Sequence, residues 1–239
     1  MRKAADPSPE RLRLVELMGP AGAGKSTVFQ SLLARDQSIL VRPTLRHARY
    51  AVVVAANLVK ATATLIRHRA IDRDDPKEQV RSMMYVQALP RVLPELGSPG
   101  DSAIVFDQGP LFLLTRPNLT DRPVATWRNR MLDTWAQLLD IVVFLDAPDS
   151  LLRERINTRE KWHVLKGADG RSSLEVLRAS RQVYEDTLQA ISAQPGGPAI
   201  LRFDTSARSA DEIADAILTA MKGDAAGANP RPEPVRRER

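Results

Sequence analysis

Gly19-Pro20-Ala21-Gly22-Ala23-Gly24-Lys25-Ser26 satisfies G-x-x-x-x-G-K-[ST] at every specified position, which is the Walker A pattern of a phosphate-binding loop. The glycines have a chemical reason. The backbone must curl so that successive N–H groups point inward at a phosphate, at the positive end of the helix that follows, and bulky residues would block that approach. Lys25 is expected between the β- and γ-phosphates of ATP, and the Ser26 hydroxyl on Mg²⁺. Thr27 is expected near the α-phosphate, so the whole run Gly19 to Thr27, with Pro20, Ala21 and Ala23 included, is the candidate nucleotide site. The flanks agree with the motif. Leu12, Leu14, Val15, Leu17 and Met18 make a strand over 12–18, apolar on both faces as a central parallel strand is. Lys25 to Ala34 lacks Gly and Pro and sets Val28, Phe29, Leu32 and Leu33 at near-helical spacing.

Beyond this unit, Ser38 to Val41 reads as a short strand ended by Pro43, and Arg46 to about Ala70 as a long helix. Asp75-Pro76 opens another helix, running through Val80, Met83, Met84 and Val86 towards Leu96, with Pro90 and Pro94 expected to kink or shorten its end. Ala103 to Phe106 is a strand closing on Asp107, residues 110–122 read as irregular, Pro123 to Leu139 as a helix, and Ile141 to Leu145 as a strand ending at Asp146. Asp149 is the expected N-cap of the next helix, and Ser172-x-x-Glu175 a capping box opening one that reaches about Ala193. Thr158 to Arg171 between them is polar, holds Gly167 and Gly170, and reads as a mobile segment. Ala199 to Phe203 is a last strand, and Ser209-x-x-Glu212 caps a final helix to about Lys222. Strands alternating with helices imply a parallel sheet covered on both faces. The domain is expected over 11–222, between a flexible N-terminus at 1–10 and a disordered tail at 223–239.

Composition excludes other classes. The 239 residues are 43% hydrophobic, 27% charged and 5% aromatic, ordinary proportions for a globular chain. With no cysteine, disulfides, thiolate zinc sites and cysteine nucleophiles fall together. A net charge of +6 suggests mild attraction for anions such as phosphates, but no Lys/Arg block is interleaved with aromatics, which disfavours a nucleic-acid partner. Met1 to Glu10 lacks an apolar signal run, so a cytoplasmic location is expected. Ala48 to Ile66 is apolar but interrupted by Asn57, Lys60, Thr62 and Thr64, so a buried helix is expected rather than a membrane partner.

Three further segments follow the order of the nucleoside and nucleotide kinases, and the chain resembles the thymidylate-kinase-like branch of that group. Phe106-Asp107-Gln108-Gly109 resembles the group's acidic motif. Val143 to Pro148, followed by Leu152 to Arg159, is similar to the segment leading into an arginine-bearing lid. Leu201 to Ser206 resembles the last strand and the loop beside the adenine. The resemblance implies an α/β P-loop NTPase fold of three layers, with a mostly parallel sheet of about five strands, a helical acceptor region over 46–96 and a lid over 158–171. It also implies ATP and Mg²⁺ as cofactors and a small-molecule acceptor.

Each segment has chemistry of its own. Asp107, at the end of a buried strand beside the loop, could bind Mg²⁺ through water or take the proton of an attacking hydroxyl, or simply cap the next turn. Arg155 and Arg159 share one helix face and could close over the transferring phosphoryl group, or form a solvated basic helix end. Gln108 stands where thymidylate kinases typically carry an arginine for the acceptor's phosphate, which argues against a monophosphate acceptor. Arg46, Arg49, Arg81 and Arg91 either face an anionic acceptor or are ordinary surface arginines, and His47 and His68 read as solvated. Trp127, Trp135 and Trp162 are read as packing residues, although Trp162 in the lid could touch a substrate. The guanine-reading motif of GTPases and the Asp-Glu pair of AAA-type ATPases are missing. The leading expectation is a Mg²⁺-dependent kinase acting on a nucleoside, a nucleotide or another small hydroxyl or phosphate acceptor. The other reading is a nucleotide-dependent switch or assembly factor that uses the 46–96 helices against a protein partner. The oligomeric state stays open, a homodimer included.

Overall fold

Five runs rich in Val, Ile and Leu pair side by side in the computed structural model, which describes residues 12–41, 43–96, 103–120, 122–158 and 170–223. They are β1 (Arg13–Met18), β2 (Ile39–Val41), β3 (Ala103–Asp107), β4 (Ile141–Asp146) and β5 (Ala199–Asp204). Every pairing is parallel, in the order β2-β3-β1-β4-β5. The helices are α1 (Lys25–Arg35), α2 (Ala51–His68), α3 (Pro76–Val92), α4 (Pro110–Leu114), α5 (Pro117–Thr120), α6 (Ala125–Leu138), α7 (Asp149–Thr158), α8 (Gly170–Ser192) and α9 (Ala210–Gly223). Alternate strand residues feed two cores. Leu14, Met18, Ile104, Phe106, Val142 and Phe144 belong to one, and Val15, Leu17, Val105, Val143 and Leu145 to the other. The result is the three-layer α/β/α arrangement, with a sheet that is wholly parallel.

Glu16 breaks the apolar run of β1 yet is fully buried. Its carboxylate accepts hydrogen bonds from the backbone N–H of Leu111 (3.0 Å) and Phe112 (2.8 Å). These are two of the N–H groups that the first turn of a helix leaves unpaired, so a strand residue caps α4 from 95 positions away. Residues 110–122, expected to be irregular, therefore carry α4 and α5, because the stabilising acceptor is remote in sequence. Glu16→Ala is expected to destabilise the fold by about 1–3 kcal/mol, a buried donor being left unmatched. For a chain of this length that lowers Tm by about 2–12 °C, while Glu16→Gln, which keeps one acceptor oxygen, should lose less. An unchanged Tm for Glu16→Ala would refute the capping role.

The end of α3 is shortened from the expected Leu96, as Pro90 and Pro94 suggest. Pro90 sits inside the helix, which continues to Val92 before a single 3₁₀ turn at Leu93–Glu95. Proline leaves the carbonyl four residues back without its helical donor. Here that carbonyl, of Val86, accepts from the Trp135 indole N–H at 3.2 Å.

The 46–70 segment is helical from Ala51, after a 3₁₀ turn at Ala48–Tyr50, and stops where Arg69 adopts φ 52°. The expectation that this apolar helix is buried is corrected: only Asn57, Ala61 and Leu65 of α2 are buried. A single stripe packs on the domain, and among the described residues no second element covers the remainder. Two caps also differ from expectation. The Pro148 carbonyl accepts from Leu151 and Leu152, which puts Asp149 inside α7, its carboxylate drawn to Arg181 at 2.8 Å. The backbone of α8 is already helical at Gly170, so Ser172 has no helix end to cap. Ser209 and Glu212 do form the reciprocal box at the start of α9, with bonds of 2.8 and 3.2 Å. Thr158 closes α7 and Gly170 opens α8. Residues 159–169 of the expected lid, with Arg159 and Trp162, lie outside the described residues, as do residues 1–11 and the tail from 224.

Candidate active site

The phosphate loop joins β1 to α1 at the carboxyl end of the sheet, where parallel α/β folds place their ligands. The register sets Leu17 of β1 beside Asp107 of β3, so that carboxylate leaves the sheet one strand away from the loop. Close approach explains two of the glycines. A Cβ on Gly19 (φ 139°) would stand 2.0 Å from the Leu145 carbonyl oxygen, and one on Gly22 (φ 81°) 2.7 Å from that of Leu152. The loop thus lies against β4 and α7. No side chain caps α1, so the positive end of that helix is offered to the cleft.

Lys25 is 9% exposed, and its ammonium donates to the carbonyls of Gly19 (2.7 Å) and Pro20 (2.8 Å). Beside it, the Ser26 hydroxyl donates to Asp107 Oδ2 at 3.0 Å. The other oxygen, Asp107 Oδ1, is buried and takes no hydrogen bond among the described residues. One carboxylate with a spare buried oxygen, joined to one hydroxyl, is the sparse hard-oxygen set that suits Mg²⁺ when substrate phosphates complete its shell. These residues therefore fit the ion, and Ser26 and Asp107 would hold it.

Arg155 lies where α7 passes the loop. Its guanidinium donates to Thr205 Oγ1 (2.8 Å), to the Thr205 carbonyl (3.0 Å) and to the Gly22 carbonyl (3.3 Å). A cation is thereby pinned between the phosphate loop and the β5–α9 turn. That turn is itself tied down, because Asp204 Oδ1 accepts from the Ser206 N–H and hydroxyl, which holds the Asp204 carboxyl below its usual range. Asp204 is thus a turn residue. Asp146 is a strand-end clamp, accepting from Arg181 at 2.7 and 3.1 Å and from the Ala147 N–H at 2.8 Å.

A cleft of about 760 Å³ opens over these groups, enough for a nucleotide-sized ligand. Lys25, Arg155 and Arg208 line it with no carboxylate among the lining residues, so its potential favours anions. Gln108, Phe112, Ser180 and Tyr184 line it as well. Gln108 has φ 64°, a left-handed conformation unusual for a residue with a side chain. Burial pushes the Tyr184 phenol up, the Glu16 charge adding to this and a hydrogen bond with Thr115 opposing it, so the hydroxyl stays protonated. Arginines near these residues are already engaged: Arg116 with Glu78 at 2.6 Å, Arg128 with Thr187 at 2.9 Å, and Arg181 with Asp146. Arg46, Arg49, Arg81 and Arg91 do not line the cleft. Sequence reasoning overlooked Arg208, Phe112 and Tyr184, and did not single out Thr205 within the Leu201 to Ser206 segment. The first three belong to no motif, and only the fold brings them to the loop.

No protein-family model matches the chain, and no curated protein matches it. Among solved structures it is similar to the YorR protein of Bacillus subtilis in complex with phosphorylated GDP. The TM-score is 0.52 at 16% identity, over 90% of this chain and 99% of that one. It is also similar to deoxyadenosine kinase from M. mycoides with dCMP and dCDP bound (0.48, 14% identity, 87% and 98%). A third is shikimate kinase from Acinetobacter baumannii in complex with shikimate (0.45, 18% identity, 90% and 96%). The YorR likeness shows a shared fold.

Proposed function

We propose that the chain is an ATP- and Mg²⁺-dependent kinase that transfers the γ-phosphoryl group to a small acceptor, in the manner of the thymidylate-kinase-like branch it resembles. The observation that carries this reading is the pairing of Ser26 with Asp107 at 3.0 Å beside the buried Lys25, in a cleft lined by cations. The fold shared with the YorR protein, whose structure holds phosphorylated GDP, agrees with it.

In this reading the loop N–H groups and the end of α1 hold the phosphates, and Lys25 exchanges its bonds to the Gly19 and Pro20 carbonyls for phosphate oxygens. Arg155, fixed by Thr205, supplies a positive wall that needs no rearrangement as charge shifts during transfer. Mg²⁺, held by Ser26 and Asp107, would neutralise phosphate charge. Asp107 also has an oxygen available for the proton of an attacking hydroxyl.

The acceptor is a hydroxyl rather than a phosphate in this reading. Gln108, Phe112, Ser180 and Tyr184 offer amide, aromatic and hydroxyl groups, and the neighbouring arginines are spent on carboxylates and Thr187. Nucleosides and sugars are therefore expected to be phosphorylated at least tenfold faster than their monophosphates. That ratio is about the effect of one mismatched charged contact. Steady-state rates on matched pairs test it, and a preference for the monophosphates would overturn the acceptor assignment.

A further inference from the structure

The outward face of α2 has no role in the chemistry above. Val52, Ala55, Ala56, Val59, Ala63 and Ile66 are all exposed, with Val52 80%, Val59 68% and Ile66 60% accessible. At 100° per residue they lie opposite the buried stripe of Asn57, Ala61 and Leu65, forming one continuous apolar strip. Lys60 and Arg67, seven residues apart, flank it on one side. On the other side the strip runs into an apolar groove of about 550 Å³ against α3, lined by Leu58, Ile71, Val80 and Met84 and edged by Lys77 and Arg81.

Charge decides among the occupants. Between Gln37 and Ile71 there is no Asp or Glu, while Arg46, Arg49, Lys60, Arg67 and Arg69 are all there. Two copies pairing through this face about Val59 would bring Lys60 beside Lys60 with no carboxylate on either helix to offset it. An anionic surface takes the same cations favourably. A helix with one apolar face, basic flanks and no acids is the pattern that lies in the plane of an anionic bilayer. Ala48–His68 is long enough to span one, but its Ala61–Leu65 stripe is locked into the domain core, so it lies on the surface instead.

We propose that α2 docks the protein on an anionic lipid surface, with Val52, Val59 and Ile66 in the headgroup boundary and Lys60 and Arg67 on the headgroups. This stands independently of the kinase reading. The test is flotation of the full chain with phosphatidylcholine vesicles, with or without about 30% phosphatidylglycerol. Binding is expected only with the anionic lipid, and should fall as salt rises from about 0.1 to 0.5 M. Val59→Glu, and separately Lys60→Glu with Arg67→Glu, should weaken binding at least tenfold by reversing the apolar or the charge contribution. Because all three side chains are exposed, Tm should not move. Failure of the wild type to bind, or binding by both variants as strong as that of the wild type, would overturn the proposal. So would a dimer in sedimentation velocity that Val59→Glu dissociates without any lipid binding, since the face would then belong to a second copy.

Discussion

Lys25→Ala is expected to fold normally and to transfer phosphate at least about 100-fold more slowly, the usual loss when one charge contact to a transition state is removed. Lys25 is 9% exposed and its ammonium is held by two loop carbonyls, so in this reading it is already positioned at the site where phosphate binds. Its removal takes a donor from the buried Gly19 and Pro20 carbonyls, a loss of about 1–3 kcal/mol that lowers Tm without unfolding the domain. Gly19 and Gly22 still pack the loop on the Leu145 and Leu152 backbone in the variant. Stopped-time assays at saturating ATP, with a melting curve as the folding control, read the effect. A folded variant with undiminished transfer would remove Lys25 from the chemistry.

Asp107→Asn is the second large effect. Asparagine keeps the shape and an acceptor for the Ser26 hydroxyl, yet loses the charge at the end of β3. Turnover is expected to fall by about 100-fold or more with ATP affinity changed only a few-fold, because the carboxylate acts on the metal or on the acceptor proton rather than on the nucleotide as a whole. Kinetics separated into kcat and KM, with binding measured directly, distinguish the roles. Normal kcat at saturation with greatly weakened binding would make Asp107 a residue that only shapes the loop.

The parts of this protein legible in its sequence are those whose cause is local. Gly19 to Ser26 must be glycine-rich because the loop touches backbone, and β1, β3 and β4 read as strands because both faces of each are buried. Asp107 was findable because a strand end beside the loop is set by topology. The remainder depends on partners far along the chain. Glu16 interrupts the apolar run of β1 for a reason visible only where α4 stands over it; a charge inside a buried strand is itself the signal that a remote donor exists. Pro90 is tolerated inside α3 where the Trp135 indole takes the freed Val86 carbonyl. The apolar content of α2 suggested burial, but composition cannot say how many neighbours a helix will have. Arg155 was found as one of a basic pair, whereas its anchoring by Thr205, 50 residues on, is a product of the fold.

The central claim is that the cleft over Lys25, Ser26 and Asp107 transfers phosphate to a small molecule. Incubation with γ-labelled ATP, Mg²⁺ and a metabolite extract, with Lys25→Ala as control, tests it most directly. The account predicts a labelled small-molecule product that disappears with the variant. Labelled inorganic phosphate alone, or bound ATP without turnover, would contradict it and favour a nucleotide-dependent switch.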